Sequence, residues 1–303
     1  MLSKTRRQFL QAALLAVPAI GAPPVLAATP ATRASRVATT DRAATESLLA
    51  LGMRPVGAPA GDFYASMGGE PPLPAGIPIT GEPIEPNLEV LMSLSPDLIV
   101  TGTTSESVRR MLARVAPVMD LGIYNGEPGA YDRAIDGFRR LAALVGRTRQ
   151  ADDYVTALDA KIARIAAALP PRNGRPAYLV TMDGSGRSVV VYSRNSIMYD
   201  VMKRIGIPNA WEGRTNGFGF ATVGVEQLVA HPDADLIYVN YGSDTRTALE
   251  QLATSPFWTN LPMVRAGRLY PIPLFDVYGS LPLASTFADN LGRIFIEPEA
   301  RHG

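Results

Sequence analysis

The chain has 303 residues, 47% of them hydrophobic and 19% charged, with a formal net charge of +1. That is enough apolar sequence for one large domain or two lobes, and a near-neutral balance without a basic run argues against a nucleic-acid partner. There is no cysteine, which rules out disulfides, zinc–thiolate sites, iron–sulfur clusters and a cysteine-linked lipid anchor.

Residues 1–27 have the form of an export leader. Lys4, Arg6 and Arg7 precede an apolar run at 12–20, and small residues follow, with Val25-Leu26-Ala27 as a cleavage site. The run is too short, and too broken by Pro18, to span a bilayer. Arg6-Arg7 followed by Phe9-Leu10 fits a twin-arginine signal. Taking these three positive charges from a net of +1 leaves −2 for the mature chain, which is expected to be soluble in the periplasm.

Residues 28–146 read as a first lobe. A short strand at 36–39 precedes a helix at 42–51, capped by Asp41 and ended by Gly52. A second strand is expected at 53–57, followed by a Gly- and Pro-rich loop at 58–78 that carries Phe63, Tyr64 and Met67. Long loops bearing aromatics are more often functional than spacers. Asn87 caps a helix with Leu88, Leu91 and Met92 on its buried face, and Pro96-Asp97 turns into a buried strand at 98–100. The polar loop 101–105 then lies at that strand's C-terminal end, where parallel α/β sheets bind ligands. Helices are expected at 107–115 and 131–145.

Residues 147–170 carry apolar positions at helical spacing (Ala151, Tyr154, Val155, Leu158, Ile162, Ile165, Leu169) opposite a charged face, and Pro170-Pro171 ends the pattern. Such a helix spans roughly 30 Å and is expected to act as a strut between two lobes. Residues 171–303 form the second. Strands at 177–182 and 188–192 flank an Asp183-Gly184-Ser185-Gly186 turn, which is no phosphate loop because a strand rather than a helix follows it. A helix at 195–205 closes at Gly206. Residues 225–239 (VEQLVAHPDADLIYV) echo residues 88–100 (LEVLMSLSPDLIV) at the corresponding place in each half, which supports a duplicated architecture. The loops that follow them, 101–105 and 240–244, are expected to face each other across a cleft.

The chemistry is sparse. Of the two histidines, His231 lies in a turn and His302 in the tail, so a direct transition-metal site has no ligand set. No G-x-S-x-G elbow or base-placed histidine supports nucleophilic catalysis, and carboxylates are many but scattered. What remains is aromatic loops: 211–223 with Asn216, Phe218 and Phe220, and 272–279 with Phe275, Asp276 and Tyr278. The flanking glycines place Phe218 and Tyr278 in a pocket, while Trp211 reads as core.

On EPPLP (70–74), EPNLEVL (85–91), MLARVAP (111–117), GIPNAWEGRTN (206–216) and PFWTNLPMVRAGRL (256–269), the chain resembles the periplasmic substrate-binding proteins of iron(III)-siderophore and cobalamin ABC importers. Within that group it is most similar to the iron(III)-hydroxamate binders, over about residues 36–292. The resemblance implies an α/β fold of two lobes with central, mainly parallel sheets joined by one long backbone helix. It implies a monomeric, non-enzymatic protein without a cofactor, which captures a ferric siderophore of hydroxamate type in the inter-lobe cleft and delivers it to an inner-membrane ABC permease. Cobalamin or haem on the same scaffold is one alternative; a periplasmic enzyme using cleft carboxylates is another.

Carried over by position, the resemblance places Asn216, Phe218 and Tyr278 at the ligand; the aromatic loops themselves add Phe220 and Tyr64 as candidates. It also marks departures. The family's chelate-binding arginine falls at Pro83, its partner tyrosine at Ser105, and two tryptophans at Met67 and Asp276. Asp276 is then expected to meet a cationic or hydroxyl-rich siderophore, and Arg187 or Arg194 to replace the missing positive charge. Glu106 and Glu226 match the acidic residues that the family presents to its permease. A single connecting helix implies closure of a few degrees to about ten.

Overall fold

The computed structural model describes residues 33–59 and 61–297, the Phe63 side chain excepted. The leader 1–27 and His302 therefore lie outside the described residues. Strand β1 (Val37–Thr39) leads into helix α1 (Arg42–Ala50), whose cap Asp41 accepts the Ala44 N–H at 2.9 Å. Next come α2 (Gly61–Ser66), a hairpin of β2 (Gly81–Glu82) and β3 (Glu85–Pro86), and α3 (Leu88–Leu94). Asn87 caps α3 by accepting the Val90 N–H at 3.1 Å. β4 (Leu98–Thr101), α4 (Glu106–Leu112), β5 (Val118–Asp120) and α5 (Ala130–Val145) complete the first half. Its sheet is all parallel, in the order β1-β4-β5.

Helix α6 (Thr148–Ala168) is the strut, 21 residues long. Ala151, Val155, Leu158 and Ile162 form its buried stripe, and the Phe138 ring of α5 packs 5.4 Å from Tyr154.

The second half contains β6 (Ala177–Met182), β7 (Ser188–Tyr192), α7 (Ile197–Ile205) and β8 (Phe220–Gly224). A 3₁₀ turn (Val225–Ala230) and β9 (Asp235–Asn240) follow. Then come α8 (Ser243–Ala253), α9 (Pro256–Thr259), α10 (Pro262–Arg265), β10 (Leu269–Pro273) and α11 (Leu281–Ile296). The sheet order is β10-β9-β6-β7-β8, with parallel pairs on the β10 side and antiparallel pairs on the β8 side. The echo noted in the sequence corresponds to α3–β4 in one half and the 3₁₀ turn–β9 in the other. Among the described residues no helix is long and apolar enough to cross a membrane.

Three local expectations need correction, and one helix had no counterpart in the sequence reading. The strand at 53–57 is reduced to isolated bridges, Ala38 with Gly57 and Ala58 with Ile79. The loop 58–78 holds α2, and Tyr64 within it is core, its hydroxyl donating to the Pro71 carbonyl at 2.7 Å. The loop 211–223 ends as β8, because residues 220–224 pair with β7 and so satisfy their backbone groups. Finally, α11 went unread. It is buried over most of its surface, including Leu281, Phe287, Ala288, Leu291 and Ile294, and only the narrow stripe of Ser285, Asp289 and Arg293 marks its period. It packs against α1, α5, α6 and α7 and thereby ties the halves together.

Candidate functional site

A cavity of about 400 Å³ lies between the two halves. From the first half it is lined by Asp41, Arg42 and Ala43 after β1, Pro83 and Ile84 at the β2–β3 hairpin tip, Gly102 and Thr103 after β4, and Tyr124 after β5. The second half contributes Phe218 and Phe220 around the start of β8, and Asp276 and Tyr278 after β10. The C-terminal ends of parallel strands thus supply most of the wall, as the connectivity of open α/β sheets favours.

The aromatic side chains form one contact chain. Phe218 lies 5.6 Å from Tyr124 and 6.0 Å from Tyr278, and Phe220 lies 5.7 Å from Tyr278. Gly219 makes the turn that presents both phenylalanines: its φ is 82°, and a Cβ there would run into the backbone of residues 194–196. Asn216 holds the same turn, its Oδ1 accepting the N–H groups of Phe218 at 2.9 Å and Phe220 at 3.2 Å. Phe218 remains 41% exposed and Ile84, across from it, 86% exposed.

The polar end of the cavity is built on one ion pair. Arg42, the first residue of α1, binds Asp276 in two-pronged fashion, Nε to Oδ2 at 2.5 Å and Nη2 to Oδ1 at 3.0 Å. Asp276 is only 2% exposed and also accepts the Tyr278 N–H at 2.9 Å. Burial is the largest single influence and would lower the Arg42 pKa, but the bond to Asp276 and the charges of Asp276, Glu46 and Asp41 together outweigh it and hold the guanidinium above its ordinary value. One turn along α1 lies Glu46, also buried, accepting the Ser280 N–H at 3.1 Å. Burial and then the Asp276 charge push the Glu46 carboxyl well above the usual carboxylate range. Gly279 permits that approach, since a Cβ would collide with the Glu46 carboxylate. Asp41 is raised by burial, against the opposing pull of the N–H groups of Ala44 and Gly102 and the Thr101 hydroxyl.

The segment after β10 is thereby fastened to the first half by further bonds: the Ser47 hydroxyl to Ser280 Oγ at 2.8 Å and the Tyr124 hydroxyl to the Gly279 carbonyl at 3.0 Å. This is why the cleft differs from expectation. Gly102 and Thr103 of the first polar loop line it, but residues 240–244 do not; Asn240 and Gly242 line a separate hollow with Thr245 and Arg246. The exit of β10, rather than that of β9, is the part of the second half that returns to meet α1.

Of the residues singled out by the sequence, Phe218, Phe220, Asp276 and Tyr278 converge on the cavity. Asn216 shapes its rim without lining it. Ser105 is exposed and spent as the α4 cap, accepting the Val108 N–H at 3.3 Å. Tyr64 is core, and Met67 is half-buried outside the cavity wall. Arg187 sits in the β6–β7 hairpin and Arg194 lines another hollow with Tyr199 and Lys203; neither lines the cavity. Arg42 does, and nothing in the sequence pattern marked it. Trp211, expected in the core, is half-buried against it. Glu106 is exposed and bonded to Arg109 at 2.6 Å, which lowers its pKa; Glu226 is exposed at the start of the 3₁₀ turn. Among the described residues, no group of three or more His, Asp or Glu side chains is placed to hold a metal ion.

The sequence profile of a family described as periplasmic binding protein matches residues 24–274. The iron(3+)-hydroxamate-binding protein FhuD of Escherichia coli is 31% identical over 243 residues, 80% of this chain and 80% of that protein. The Fe(3+)-citrate-binding protein YfmC of Bacillus subtilis is 27% identical over 189 residues, 61% of this chain and 56% of that protein. Among solved structures, the Fe3+-Desferal-bound siderophore-binding protein FhuD of Vibrio cholerae superimposes with a TM-score of 0.78 at 26% identity, covering 87% of this chain and 98% of that one.

Proposed function

This chain belongs to the periplasmic binding protein family, and on that premise we propose that it captures a ferric siderophore of hydroxamate type between its two halves and delivers it to an inner-membrane ABC permease. The observation that carries the reading is the cavity itself. It is apolar and aromatic over most of its wall, with Asp41, Arg42, Thr103 and Asp276 among its polar points, and it sits at the strand ends of a scaffold shared with ferric-siderophore binders. A siderophore fills the coordination sphere of iron with its own oxygens. The protein then needs no metal ligand, only apolar enclosure and a few oriented polar groups. The hydroxamate class follows the relative from Escherichia coli, whose match spans most of both chains.

The leader 1–27, with Arg6-Arg7, supports export of the folded chain through a twin-arginine route and a periplasmic site of action. Glu106 and Glu226, exposed on opposite halves, are the proposed permease contacts, and the chain acts as a monomer without catalysis. Asp41, Glu46 and Asp276 do cluster, but each carboxyl is committed to bonds within the fold, which supports binding over a carboxylate-dependent enzyme.

Tyrosine and tryptophan fluorescence of the mature chain, titrated with ferric hydroxamates, their iron-free forms, cyanocobalamin and haem, tests this. Quenching at micromolar or lower concentration by the ferric hydroxamates, weak for the iron-free forms, is expected. A response to cyanocobalamin or haem alone would keep the scaffold and overturn the cargo.

A further inference from the structure

We propose that the Arg42–Asp276 pair fixes the charge class of the cargo, admitting neutral and singly cationic ferric chelates and rejecting polyanionic ones. This rests on the ferric-siderophore reading of the cavity. Arg42 is the one cation among the residues that line it, and Asp41 and Asp276 are the acids. The guanidinium is bidentate to a carboxylate that is itself 2% exposed. Asp276 is also held from a second side by the Tyr278 N–H, which keeps its carboxylate in place beside the guanidinium. The cavity lining therefore carries no net positive charge. The basic residues beyond it that the sequence suggested as replacements, Arg187 and Arg194, lie elsewhere.

The chemistry of ferric chelates makes that balance selective. Three monoanionic hydroxamates around Fe³⁺ give a neutral core, and a pendant ammonium makes the complex singly positive. Three dianionic catecholates leave a triply negative complex. In a cleft walled by Pro83, Ile84, Tyr124, Phe218 and Phe220, charges interact more strongly than in water. A trianion would lose its hydration there and meet an arginine already neutralised, with the Asp41 and Asp276 carboxyls alongside. A neutral core loses little hydration, and a pendant ammonium gains from the acids. The Arg42 charge is thus shared with Asp276 rather than open to an anion.

The test compares three chelates on the mature protein: ferrichrome (neutral), ferrioxamine B (singly positive) and ferric enterobactin (triply negative), with affinities from fluorescence quenching and thermal melts in parallel. The wild-type chain is expected to bind the first two and to bind ferric enterobactin at least about 100-fold more weakly. Asp276→Asn keeps the side-chain shape and removes the carboxylate that shares the Arg42 charge. It should improve ferric enterobactin about tenfold relative to ferrichrome and weaken ferrioxamine B relative to ferrichrome. Arg42→Gln, which tips the balance the other way, should raise the preference for ferrioxamine B and serves if Asp276→Asn fails to fold. The double variant should return the wild-type ranking. Equal wild-type affinity for ferrichrome and ferric enterobactin would overturn the proposal, as would rankings unmoved by either substitution. Binding of none of the three chelates would instead overturn the siderophore reading on which it rests.

Discussion

Glu46→Gln should stabilise this protein at neutral pH, by an amount that acid removes. Glu46 is 2% exposed on α1, with Asp41 and Arg42 on the same helix and Asp276 and Ser280 facing it from the segment after β10. Burial and the Asp276 charge raise its pKa well above that of the unfolded chain, while the Ser280 N–H and Arg42 only partly offset them. For an acid with a raised folded pKa the sign is fixed. The folded state binds more protons than the unfolded one, so the cost is absent below the unfolded pKa, appears above it, and stops growing once pH passes the folded pKa. Each pH unit in that window costs about 1.4 kcal/mol, so from an unfolded value of about 4.3 the cost at pH 7 is at most about 4 kcal/mol. Glutamine retains an oxygen to accept the Ser280 N–H, but its NH₂ must also be satisfied, at a cost of about 1 kcal/mol. The expected outcome is a net gain at pH 7, bounded by about 3 kcal/mol, that shrinks as pH falls towards 5. Urea unfolding of wild type and variant at pH 7, 6 and 5 measures it. A variant destabilised equally at all three pH values, or stabilised without any pH dependence, would refute the reasoning.

Three further outcomes follow from the same geometry. Phe218→Ala should weaken ferric hydroxamate binding about tenfold with little change in melting temperature, because the ring touches Tyr124 and Tyr278 across the cavity yet is half-open to solvent; titration calorimetry paired with a thermal melt checks both halves. Phe138→Ala should cost about 3–5 kcal/mol of unfolding free energy, since that ring is fully buried against α6, while chelate affinity measured well below the transition stays near wild type. Closure on ligand should be limited to a few degrees up to about ten, given one long helix and the bonds of Ser47, Tyr124 and Glu46 to residues 279–280; solution scattering that contracts strongly on adding ferric hydroxamate would contradict that.

Much of this protein is written locally. The strut α6 is legible because its buried stripe recurs at helical spacing and Pro170-Pro171 stops it. The caps Asp41 and Asn87 are legible because an N-cap needs only a short acceptor side chain before an apolar run. The echo of 88–100 in 225–239 pointed to two related halves for the same reason: each copy is one short helical turn feeding a buried strand. Phe218 and Tyr278 could be assigned to the cavity because the glycines beside them forbid regular burial.

The site's electrostatics could not be read that way. Arg42 and Asp276 are 234 positions apart and meet only because the chain leaving β10 turns back onto α1. Before folding, Arg42 is simply the basic residue after a cap, and Asp276 an acid between Phe275 and Val277. Local sequence fixes periodicity, turns and caps, since those depend on neighbours within a few residues. Which of two strand exits lines the cleft, whether a carboxyl is paired or exposed, and what net charge a cargo meets depend on long-range packing and on the desolvation it imposes. In this protein the halves and their strut follow from the sequence, and the charge of the cavity between them from the tertiary structure.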